Sequence, residues 1–177
     1  LLRAQGSGTL TNQFQCLFFL SLAPQPPEAA LQWLEEGLLL GRELVPDTPT
    51  ATMLSFMLER AADNLVALGR RDAARDNLQE AVALWRGAVS AGDAAASASL
   101  ARALYWLGRH WLDGGEAGRA LEPLNEARVL LRSLDAADPY MLMSVLSGLY
   151  DAYRANPAAA DAAAVFRREW QVLRAQL

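Results

Sequence analysis

The sequence predicts an all-α chain of about eight helices, arranged as an α-solenoid of four antiparallel pairs. Three observations carry this prediction. Between "APQPPEA", "VPDTPT", "LGRRD", "SAGD", "DGGEAG", "AADP" and "ANPAA", apolar residues recur at i, i+3, i+4 and i+7, the period of a helix with one buried face. No stretch alternates strictly enough between apolar and polar residues to predict a strand. One pattern of large and small residues returns four times, from starts near residues 11, 55, 101 and 143, at spacings of 44, 46 and 42.

The third occurrence is the most complete. Counting from Ala101, Leu104 is position 4, Leu107 is 7, Gly108 is 8, Trp111 is 11, Gly115 is 15, Ala120 is 20, Leu124 is 24 and Ala127 is 27. From Ser55 the same positions give Leu58, Ala61, Ala62, Leu65, Gly69, Ala74, Leu78 and Ala81. From Met143 they give Leu146, Leu149, Tyr150, Tyr153, Ala162 and Phe166, with Glu169 departing at the last small position. From Thr11 they give Phe14, Leu17, Phe18, Ala30, Leu34 and Gly37, with Ser21 departing at position 11. Small residues at 8, 20 and 27 suit close approach of two helix backbones, and large ones at 4, 7, 11 and 24 fill the gaps between them. Gly114 and Gly115 are then the turn within a pair, Gly108 a contact residue and Trp111 part of the core.

This pattern resembles the tetratricopeptide repeat (TPR), although Arg132 stands where that repeat usually carries a proline. The spacing exceeds the common 34 residues by about 10, or roughly 15 Å of helix at 1.5 Å per residue. In that respect it is similar to kinesin light chains and to bacterial signal-transduction ATPases and transcription regulators. The resemblance implies a single right-handed superhelical array over residues 1–177, in which one pair cannot bury its apolar face alone and at least three must stack. Residues 1–10 read as the tail of an upstream helix, with the chain the C-terminal part of a longer protein.

Composition removes several chemistries. All 16 basic residues are arginine, so a phosphate-loop lysine, a Schiff-base lysine and a Ser-x-x-Lys pair are excluded. A net charge of −4 argues against binding the nucleic-acid backbone. The single histidine, His110, has no second His or Cys with metal-ligand spacing, so no metal or cofactor is expected. Adjacent acids such as Glu35 and Glu36 do not converge as an acid/base pair, and no enzymatic activity is expected. The lone Cys16 permits no internal disulfide, fits a reducing cytoplasm, and is expected to be buried within "FQCLFFLSLA". That apolar run is ten residues long, half of what a bilayer-spanning helix needs, so no membrane association is expected.

The resemblance also implies a concave groove lined by positions 2, 5, 6 and 9 of each first helix. Carried over by position, these include Gln15 and Phe19; Glu59, Arg60 and Asp63; Arg102, Tyr105, Trp106 and Arg109; and Asp151. The third set falls at i, i+3, i+4 and i+7 on one face, outside the packing pattern, and is rich in the types that dominate binding hot spots. Packing of Trp106 against a lengthened neighbouring helix is the alternative for that residue. The lysine-and-asparagine clamp of the chaperone-binding members is absent: Gln15 with Phe19, and Glu59 with Asp63, stand in its places. The expected partner is a protein or peptide of mixed charge, bound by a non-catalytic scaffold of a bacterial signalling or transcription regulator. A sensor for a small molecule or signalling peptide and an oligomerisation segment are the rival expectations. The last rests on a first helix apolar nearly all round through Leu17, Phe18, Phe19 and Leu20, which predicts burial on both sides and self-association.

Overall fold

A computed structural model of the protein describes residues 2–44, 48–93, 95–156 and 160–177. Among these are eight α-helices and no strand: α1 (Leu2–Ser21), α2 (Pro27–Leu44), α3 (Thr48–Ala67), α4 (Arg71–Ser90), α5 (Ala96–Asp113), α6 (Ala117–Ser133), α7 (Pro139–Arg154) and α8 (Ala160–Arg174). The chain divides into two compact units, Leu1–Gly92 with α1–α4 and Asp93–Leu177 with α5–α8. Within each unit consecutive helices pack on one another, and the first helices of adjacent pairs also touch, α1 on α3 and α5 on α7. Among the described residues no helix is long and apolar enough to cross a membrane.

The repeat register predicts the turns closely. The second helices begin at Pro27, Arg71, Ala117 and Ala160, which is position 17 in three repeats and 18 in the fourth. Two turns are closed by the same hydrogen bonds. Gly69 N–H donates to the Val66 carbonyl and Arg70 N–H to that of Leu65; Gly115 N–H donates to Leu112 and Glu116 N–H to Trp111. This is the glycine-terminated helix end that satisfies the last orphan carbonyls, and it needs a left-handed residue. Gly115 has φ +79° and Gly114 φ −84°, so only the second of the pair requires glycine. Gly115→Ala is expected to lower stability by about 1–2 kcal/mol, while Gly114→Ala leaves the urea midpoint nearly unchanged. Equal shifts for the two would show that the left-handed turn is not what stabilises this helix end. At the start of α7, the Asp138 side chain accepts from Tyr140 N–H at 2.9 Å and Pro139 opens the helix, where its missing donor costs nothing.

At positions 20 and 27 the small residues of the first three repeats are where the pattern puts them. In the fourth, Ala162 at position 20 is exposed and Ala163 is buried instead, in step with a second helix that starts one residue later. Ala74, Ala81, Ala120 and Ala127 are fully buried, as are Ala62 and the leucines at position 4 and 24 of the second and third repeats. A methyl group added to Gly108 would lie 2.5 Å from Leu124 Cγ, and one added to Gly148 would lie 3.2 Å from Leu124 Cδ2. Leu124 of α6 therefore fills a socket between α5 and α7 that only two glycines leave open.

Four expectations are corrected. Helix α1 runs without interruption from Leu2 to Ser21, so residues 2–10 extend the first helix of the first pair. It buries Phe14, Leu17 and Ser21, spaced i, i+3 and i+7, and this choice of face leaves Cys16 exposed instead of buried. The same choice turns Phe19 (65% exposed) and Leu20 outward, so the described side chains of α1 are covered on one side only within the first unit. Trp111 is half-buried at the surface of its pair, with the Arg119 guanidinium 4.6 Å above its ring.

Candidate functional site

The face predicted on the third repeat is formed by α5 and α7 inside the second unit. Helix α5 commits Ala96, Leu100, Ala101, Ala103, Leu104, Leu107 and Gly108 to the core. Its helical period then leaves Arg102, Tyr105, Trp106 and Arg109 along the opposite side. Tyr105 is half-buried and its ring meets that of Trp106 at 5.1 Å between centroids and 57° between planes. Trp106 is 42% exposed, a large indole held by its neighbour with much of its surface in water.

Arg109 sits between two carboxylates. Its guanidinium donates to Asp113 Oδ1 at 3.2 Å, one turn on, and reaches Asp151 Oδ2 of α7 at 3.5 Å. Arg109 and Asp151 are position 9 of consecutive repeats, so the pair joins equivalent points of adjacent first helices. Both partners are partly exposed, and such a pair contributes about 0–1 kcal/mol to folding; what it does supply is a fixed direction for the guanidinium. Asp113 was not among the predicted residues, although its i+4 spacing from Arg109 is the signal that would have found it. Arg102 is half-buried on the same face.

The predicted residues of the first unit divide differently. Gln15, Phe19 and Asp63 are exposed on α1 and α3. Arg60 donates from Nε to the Ser21 carbonyl at 3.0 Å. Ser21 is the last residue of α1, so Arg60 caps a helix end whose carbonyl has no intrahelical partner. Ser21 replaces the usual large residue at position 11 and is itself fully buried, its hydroxyl donating to the Phe18 carbonyl at 2.6 Å. Glu59 is turned into its own pair: it is 8% exposed, and its Oε1 accepts from Trp85 Nε1 at 2.8 Å. The Trp85 ring in turn meets Phe56 edge-on at 5.2 Å. Of the ten predicted residues, α5 and α7 thus bring five onto one face, whereas Glu59 and Arg60 serve the internal structure of α1–α4.

No three His, Cys, Asp or Glu side chains among the described residues are grouped to hold a metal. The paired helices, the glycine turns at position 15 and the buried small residues at 8, 20 and 27 together decide the fold. It is TPR-like. Among solved structures, the chain is similar to two forms of a Podosopora anserina kinesin-light-chain-type protein with nearly identical TPR-like repeats. One, a form with a single substitution, matches at 14% identity with a TM-score of 0.41, covering 96% of each chain. The other matches at 16% identity and a TM-score of 0.40, covering 96% of this chain and 97% of that one. It is also similar to BtubC (BKLC) of P. vanneervenii, at 17% identity and a TM-score of 0.43, over 96% of this chain and 82% of that one. No family model matches the chain. No curated protein matches it either.

Proposed function

We propose that this TPR-like protein is a non-catalytic scaffold whose α5/α7 face binds a protein or peptide of mixed charge. One observation carries the reading: Trp106, a large apolar side chain, is 42% exposed beside Tyr105 and an ion-paired Arg109, on a helix side that the core does not use. An indole, a phenol and a guanidinium are the groups that most often dominate an interface when a partner removes them from water. Asp151 and Asp113 beside Arg109 offer acceptors as well as a donor, which suits a ligand with both signs of charge. A place in a bacterial signalling or transcription regulator, working in the cytoplasm, is supported by the lengthened repeat and by an alanine- and arginine-rich, lysine-free composition.

The test starts from proteins captured out of a lysate, each then purified and titrated by calorimetry. The triple variant Tyr105→Ala, Trp106→Ala, Arg109→Ala, matched to the parent in helicity and melting temperature, is expected to bind at least thirtyfold more weakly, the loss of about 2 kcal/mol that marks a hot spot. Unchanged affinity for every captured protein would remove the face from the reading.

Self-association through α1 is a second reading, favoured by the outward Phe19, Leu20 and Leu22. Sedimentation velocity is expected to show concentration-dependent association that Phe19→Ser with Leu20→Ser abolishes. A parent protein that stays monomeric at 100 μM (about a hundred times a micromolar Kd) would eliminate it.

A further inference from the structure

Elsewhere in the second unit, α7 and α8 leave a cleft of about 250 Å³ lined by Leu146, Ser147, Tyr150, Arg167 and Trp170. The repeat register says what kind of object belongs there. One repeat earlier, the equivalent residues are Leu104, Tyr105, Gly108, Asn125 and Arg128. At Leu104, Gly108 and Arg128 that side of α5 and α6 is covered by the next pair, while Tyr105 stays half-buried at its margin. Helix α7 packs on both, with Gly148 against Leu124, and Arg128 lies under Phe166 and bonds Glu169 of α8. Trp170, the counterpart of Arg128, has no such cover among the described residues. The cleft has the form of a seat for one more helix.

Its charge narrows the occupant. Arg167 lines the cleft, Arg154 lies 5.8 Å over the Tyr150 ring, and Arg174 lies 5.2 Å over the Trp170 ring. All three arginines are exposed, none is ion-paired to a described residue, and no carboxylate lines the cleft. Helix α1 of a second copy is a poor match, because Leu2–Ser21 contains no Asp or Glu.

We propose that the α7/α8 cleft docks an acidic amphipathic helix of a partner protein, seated as the first helix of a further repeat would be. Its apolar stripe lies on the rings of Tyr150 and Trp170, above the buried Leu146, and its flanking carboxylates meet Arg154, Arg167 and Arg174. The seat shares α7 with the α5/α7 face, but none of its lining residues is among the five residues of that face.

The probe is a dye-labelled 16-residue peptide that keeps the apolar residues of α7 and carries glutamate at its polar positions, with a lysine twin as control. Fluorescence anisotropy against the full chain is expected to give saturable binding of the glutamate peptide, at least tenfold tighter than the twin and weakening as salt is raised. The double variant Arg167→Glu, Arg174→Glu changes only exposed side chains, so its circular dichroism stays that of the parent while binding falls more than tenfold. The Tyr105/Trp106/Arg109 alanine variant binds as the parent does. Equal affinity for both peptides, no saturable binding of either, or undiminished binding by the double variant would overturn the proposal. So would loss of binding in the α5 variant, or self-association that survives the double variant and excludes the peptide.

Discussion

Replacing Trp85 with alanine is expected to cost the first unit about 3–5 kcal/mol, the range for deleting a buried aromatic ring. Trp85 is 2% exposed, meets Phe56 edge-on, and gives its indole N–H to the carboxylate of Glu59. Trp85→Phe separates these contributions. Phenylalanine keeps a ring against Phe56 but removes a donor from a buried carboxylate, which costs about 1–3 kcal/mol. Urea unfolding followed by circular dichroism reads both variants. A Phe variant as unstable as the Ala variant would mean that the hydrogen bond, and not the packing of the ring, holds α3 to α4. A Phe variant equal to the parent would mean that Glu59 finds its acceptors satisfied without Trp85.

The second large effect lies at Leu124. Leu124→Ala is expected to destabilise the second unit by about 2–5 kcal/mol, since the leucine is fully buried in the gap between α5 and α7. Gly108→Ala alone is expected to cost about 1–3 kcal/mol, because its methyl group would overlap Leu124 Cγ and force that side chain from its rotamer. The two changes oppose each other: the cavity made by shortening Leu124 is where the new methyl goes. The double variant should therefore be more stable than the sum of the singles predicts, by at least about 0.5 kcal/mol. Strict additivity in a urea-denaturation cycle would show that Gly108 and Leu124 do not share one packing site.

The pairing, the register and the small residues were legible in the sequence because packing imposes them at fixed spacings. A backbone-to-backbone approach admits only Ala or Gly, and this leaves Ala74, Ala81, Ala120 and Ala127 as a record that a single chain displays. The face of α5 was legible for the same reason, as what remained once Leu104, Leu107 and Gly108 were assigned inward. The fates of Glu59 and Arg60 were not. Both turn on residues outside the repeat pattern, since Trp85 of α4 reaches Glu59 and the end of α1 draws Arg60. Cys16, in contrast, faces out because Phe14 and Leu17, packing positions of its own repeat, face in. In α1 the apolar run by itself gives no periodic contrast, and only the repeat register, through Phe14 and Leu17, marks the side that is covered. Position in a repeat fixes where a side chain starts, whereas its partner depends on which long side chain of another helix arrives.

The near-constant start of the second helices has a practical meaning for building with this chain. Spacings of 44, 46 and 42 residues coexist with a turn that opens the second helix at position 17 or 18. Differences in length are therefore absorbed almost wholly after the second helix has begun: α4 ends at position 36 of its repeat and α6 at position 33. The joints between pairs are the seams at which modules can be exchanged, duplicated or spliced, because added residues there cost little loop-closure entropy. The glycine turns within pairs are the opposite. One residue inserted at Gly69 or Gly115 rotates the whole second helix by about 100° at 3.6 residues per turn, and delivers its alanine stripe to the solvent.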